Sequence, residues 1–89
     1  MPYIPKSERE QFQELTELIN KTIIEGPSCT KGQLNYLMTK LALAYMSRCG
    51  KNYNTMNDVM GVFTNAANEF YRVQVAPYED LKIDENGDV

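Results

Sequence analysis

The stretch Thr30–Gly50, "TKGQLNYLMTKLALAYMSRCG", decides the fold. Thr30 stands three residues ahead of Gln33, the spacing of a capping box in which the hydroxyl bonds a backbone amide and the glutamine side chain reaches back. Leu34, Leu37, Met38, Leu41, Ala44 and Tyr45 then share one face at 100° per residue, and Gly50 stops the run after Cys49. This predicts a helix starting at Thr30 and running to Cys49. Tyr36, Leu43 and Met46 point away from that face. A helix with apolar side chains on two sides needs two partners, and a chain of three helices has little mass to cover both. These three residues are therefore candidates for an interface between copies of the chain.

A second amphipathic pattern precedes this stretch. "SERE" at 7–10 offers another capping box, Ser7 with Glu10, and Phe12, Leu15, Ile19, Thr22 and Ile23 follow at helical spacing. Gly26-Pro27 is expected to end this helix, with Gly26 left-handed and Pro27 unable to continue it. The third helix is expected to be capped by Thr55, with Asp58 in its first turn. Val59, Val62, Phe63, Ala66, Phe70 and Val73 form its inner stripe. Its opposite face holds Asn57, Gly61, Asn65, Asn68 and Arg72 with Thr64 alongside, amides and a bare glycine where Lys and Glu would be usual. Asparagine is a poor helix former and an interior glycine costs about 1 kcal/mol relative to alanine. Such a face suits close approach of a partner at Gly61.

The final segment, "APYEDLKIDENGDV" (76–89), carries six charges in fourteen residues. Pro77 is expected to separate it from the third helix, Leu81-Lys82-Ile83 alternates as a short strand could, and Asn86-Gly87 has the chemistry of a type I′ turn. The expected architecture is mainly α: a compact three-helix body over 1–76, extended N- and C-terminal arms, and a short terminal β segment within the arm at 77–89. Leu81 and Ile83 would pack the arm on its own body or on a neighbouring subunit.

Composition excludes several function classes. At 89 residues and 10.2 kDa there is room for one core. There is no histidine, which removes the usual general base and the commonest metal ligand. Cys29 and Cys49 lie at opposite ends of the second helix, roughly 28 Å apart at 1.5 Å per residue, beyond the reach of a disulfide. Free thiols fit a reducing compartment, and no signal peptide or long apolar run is evident, so a cytoplasmic location is expected. The net charge of −3 divides into +1 over 1–78 and −4 over 79–89. Neither part has the clustered basic face of a duplex-DNA binder.

No metal loop, phosphate loop or nucleophile elbow is present. "DENGDV" has alternating Asp84, Asn86 and Asp88, but Gly87 stands fourth from Asp84 where a calcium loop needs glycine sixth and a glutamate twelfth. No cofactor and no catalysis are expected. The tyrosines read differently. Tyr3, Tyr53, Tyr71 and Tyr78 fall at or beside helix ends together with Lys6, Lys51 and Arg72, the pairing of aromatic planes and cations that base stacking and phosphate binding require.

The segments "MPYI", "GQLNYLMTKLALAYM", "NYNTMNDVMGVF" and "NEFYRVQVAPYEDLKIDENGDV" resemble a family of small uncharacterised proteins from tailed phages, prophages and metagenomes. The resemblance runs over nearly the whole chain. It implies "EFYRRVVAPYED" where Val73 and Gln74 stand here after Arg72, so a second basic residue is missing. It carries no established function with it, and a phage origin points to the small non-enzymatic accessory proteins that phages encode. The expected function is a homo-oligomer that sequesters a small anionic, nucleotide-like signal between subunits, as an anti-defence sponge. Tyr71 or Tyr78 would stack the base, Arg72, Lys51 or Lys6 would meet phosphate, and Asn65 and Asn68 would supply hydrogen bonds. The alternative is an interaction module that inhibits a host protein or assists virion assembly.

Overall fold

The computed structural model describes residues 3–89. Its helices are α1 (Lys6–Arg9), α2 (Gln13–Glu25), α3 (Lys31–Cys49), α4 (Tyr53–Phe70) and α5 (Ala76–Asn86), with a 3₁₀ turn at Glu10–Phe12 and a π turn at Tyr71–Val75. They form three limbs, 6–25, 31–49 and 53–86. The chain is mainly α, and among the described residues there is no strand.

The first limb starts differently from the capping-box expectation. Pro5 is the residue before α1, no side chain caps it, and Ser7 already lies inside the helix. Proline holds a fixed φ and has no amide to satisfy, so it can launch the first turn without a hydroxyl partner; the amide of Glu8 bonds the Pro5 carbonyl at 2.9 Å. The limb ends at Gly26, which is extended (φ −69°, ψ 167°) and not left-handed as expected. Glycine is nonetheless required there, because a Cβ would lie 2.2 Å from the Thr22 carbonyl oxygen.

α3 has both halves of the capping box foreseen for it. The Gln33 amide donates to Thr30 Oγ1 at 3.1 Å, and the Thr30 amide donates to Gln33 Oε1 at 3.0 Å. Gly50 ends the helix at φ 115°, a conformation that L side chains rarely adopt, with its amide on the Met46 carbonyl at 2.8 Å. The N-cap of α4 is Asn52, not Thr55. Asn52 Oδ1 accepts from the Thr55 amide at 3.0 Å and from the Thr55 hydroxyl at 3.2 Å. A short amide side chain starts the helix one turn earlier and takes the Thr55 amide itself, and Thr55 becomes the one buried residue among those described.

The C-terminal segment is the main departure. Residues 76–86 are helical, so the strand at Leu81–Ile83 is not formed, and Gly87 (φ 84°) caps α5 by donating to the Ile83 carbonyl at 2.7 Å instead of making a hairpin turn. Pro77 fails to break the chain because of where it sits. Within an α-helix its ring would strike the carbonyl four residues back. Here the amide of Ala76 reaches back five residues to Tyr71, and this wider π turn places Pro77 at the start of a new helix.

The limbs stay open. The radius of gyration is 16.6 Å, against about 12 Å for a compact 89-residue chain. α3 and α4 meet near their shared elbow, while α2 packs along neither of them to a comparable extent. The helical class and the three-limb count match expectation; the closure into a compact body does not occur within one chain.

Candidate functional site

Two features stand out on this open frame: a polar cluster around the π turn and an apolar groove between α3 and α4.

The cluster centres on Glu69, at the end of α4. Tyr3 Oη donates to Glu69 Oε1 at 2.7 Å, joining residues 66 positions apart. Arg72 Nε donates to Glu69 Oε2 at 3.3 Å, and Arg72 Nη2 pairs with Oε1. Both oxygens of the carboxylate are thus engaged. The Arg72 guanidinium first, and the Tyr3 hydroxyl second, hold its carboxyl below the usual carboxylate range. The same contact pushes the Tyr3 phenol up, because ionising it would place a second negative charge against Glu69. On the far side of the π turn, Tyr71 Oη donates to Glu79 Oε1 at 2.6 Å, which likewise raises the Tyr71 phenol. Tyr78 carries Lys82 Nζ over its ring at 5.4 Å from the centroid.

The residues expected to hold an anion are only partly brought together. Arg72 and Tyr71 lie within the π turn, and each has a carboxylate partner. Tyr78 follows in α5. Asn65 and Asn68 lie on α4, Lys51 in the loop before α4 and Lys6 at the start of α1, and no described hydrogen bond links these four to Arg72. Glu69 and Glu79, the hubs of the observed bonding, were not among the expected binding residues. The Glu69-x-x-Arg72 spacing was a readable signal for the first. The second was hidden, since residues eight apart lie about 80° apart on a regular helix, and the π turn takes up part of that angle.

The groove lies between α3 and α4, a cavity of about 270 Å³ walled by Leu41, Tyr45, Val59, Val62 and Phe63 among others. A wider hollow of about 510 Å³ opens at the elbow between α2 and α3, bordered by Ile23, Pro27, Leu34 and Leu37. Of the expected interface residues, Tyr36 borders the elbow hollow and is 62% exposed, and Leu43, Leu81 and Ile83 are exposed elsewhere on the limbs. Met46 is half-buried. A Cβ at Gly61 would meet nothing within 4 Å.

Cys29 and Cys49 are free and exposed. Among the described residues no three His, Cys, Asp or Glu side chains are grouped to hold a metal ion, and no helix is long and apolar enough to cross a membrane.

No curated protein and no solved structure matches the chain. A family model described as "Domain of unknown function (DUF6899)" matches residues 1–89. Since the match spans every residue, from the tyrosine that binds Glu69 to the glycine that caps α5, the chain belongs to the DUF6899 family.

Proposed function

We propose that this protein is a non-catalytic interaction protein that works by binding through its open helix faces. One observation carries the reading: large apolar side chains stay uncovered on all three limbs, with Leu18 60%, Leu41 57%, Val62 60% and Phe70 63% exposed. An apolar surface of this extent in a folded chain marks a place where another molecule sits. Hydroxyl-radical footprinting tests it. Leu41, Val62 and Phe70 should be protected in the protein inside cells and reactive in the purified chain at nanomolar dilution. Equal reactivity in both states would overturn the reading.

Arg72 favours a second reading. Its side chain is 70% exposed despite the pair with Glu69, and it adjoins Tyr71, so a small anionic, nucleotide-like ligand could be held there between subunits, the mode of a phage-type sponge. Glu69 and Glu79 beside it weigh the field against an anion. A thermal-shift screen of cyclic and linear nucleotides decides the matter. A ligand at 100 times its dissociation constant adds roughly 2.7 kcal/mol of stability, and Arg72→Gln should abolish that shift. No shift with any nucleotide leaves the interaction reading alone.

A further inference from the structure

We infer that the groove between α3 and α4 receives α2 of a second copy of this chain, so that two chains exchange these limbs and close one shared core. The inference rests on the interaction reading above and names the partner. Area supports it first. The described residues expose 8080 Å², against about 5,300 Å² for a compact monomer of this mass. The excess is roughly 2,700 Å² per chain, and two chains burying it reach the size class of obligate homodimers, about 2,000–5,000 Å² and above.

The chain also carries an occupant of the right shape. α2 is a 13-residue helix, about 20 Å long, with Leu15, Leu18, Ile19 and Ile23 along one side. Leu18 is 60% exposed and Leu15 46% exposed, so this stripe lacks a full partner in its own chain. α3 and α4 offer a groove between helices of 19 and 18 residues, long enough to seat it. Within its own chain α2 packs along neither α3 nor α4 to a comparable extent; at the elbow Gly26 leaves no room for a side chain against the Thr22 carbonyl, and Pro27 fixes its own φ. An uncovered helix joined to the groove helices by a short elbow is the arrangement that favours exchange between identical chains.

Charge matches on the α3 side of the groove. α2 carries Glu14, Glu17 and Glu25 against Lys21, and α3 carries Lys31, Lys40 and Arg48 with no acid, whereas the α4 wall carries Asp58 and Glu69, so the acidic limb should lie closer to α3. An acidic limb laid beside a basic helix is attracted, and the two-fold relation gives the same pairing twice.

Two measurements on the full chain test this. Size-exclusion chromatography with light scattering at micromolar concentration should give twice 10.2 kDa, and Val62→Asp should lower the mass to that of a single chain. Because Val62→Asp could simply unfold the protein, a cross-link provides an independent reading. In a Cys29→Ser, Cys49→Ser background, a Leu15→Cys chain and a differently tagged Ala66→Cys chain are mixed and oxidised. A disulfide between the two tags supports the exchange. A dimer without that link overturns the groove assignment. A monomer that gains footprint protection only with a different protein overturns the second copy and leaves the interaction reading standing; a cooperatively folded monomer with equal footprints everywhere overturns both.

Discussion

The hydroxyl of Tyr71 donates to Glu79 Oε1 at 2.6 Å, spanning the π turn that joins α4 to α5. The bond ties the first residue of the π turn to the first turn of α5, and so braces the point where the third limb changes register. Breaking it should loosen that junction. Hydrogen exchange at amides 72–80 is expected to speed up in Tyr71→Phe, and less so in Glu79→Gln, which retains an acceptor. Unchanged exchange in both variants would show that the π turn holds without the brace.

Acid should weaken the anchor of Tyr3 on α4. Glu69 is held below the usual carboxylate range, chiefly by Arg72 and then by Tyr3. A depressed carboxyl contributes stability that is present above its unfolded value and lost as pH falls through the folded one. Thermal melts followed by circular dichroism should therefore show a falling midpoint below about pH 4.3, the ordinary glutamate value. Glu69→Gln should flatten this acid limb. At the alkaline end the raised phenols of Tyr3 and Tyr71 act in the opposite sense, with stability present below pH ~10 and lost as pH climbs through their folded values.

Asn52→Ala should cost more than Thr30→Ala. Loss of an N-cap costs typically about 1 kcal/mol, which is the expectation for Thr30. Asn52 also accepts the hydroxyl of Thr55, the buried residue at α4, and a stranded polar group there adds about 1–3 kcal/mol. Urea titration of the two variants gives the comparison; equal midpoints would remove the special role of Asn52.

Glycines at 50 and 61 should respond in opposite directions. Gly50 is at φ 115°, and a Cβ would lie 2.8 Å from Asn52 Nδ2, so Gly50→Ala should destabilise by about 1–2 kcal/mol. Gly61 has open space around it in the helix interior, and Gly61→Ala should gain up to about 1 kcal/mol from helix propensity. A loss at Gly61 in melting experiments would mean that a partner backbone approaches that face closely.

The sequence by itself determined where the helices lie. The caps at Thr30 and the stops at Gly26-Pro27 and Gly50 are local devices, and helix hydrogen bonds join residues only four apart, so the limbs 31–49 and 53–70 could be read within a few residues. Locality also explains the small misses: Asn52, three residues ahead, caps the helix through the Thr55 amide, and Pro5 serves where Ser7 was expected. The exposure of Tyr36 and Leu43 could be read from the second apolar face of α3. Tertiary structure decided the rest. Whether Pro77 breaks a helix or begins one depends on a π turn that no short motif announces, and that turn turns the expected arm into α5 and brings Tyr71 to Glu79. Tyr3 reaches Glu69 across 66 positions, a contact that spacing cannot encode. The open limbs follow from the same physics: periodicity specifies that a face is to be buried, but the covering surface is set by geometry, and within one chain α2 packs along neither α3 nor α4 to the extent that those two pack on each other.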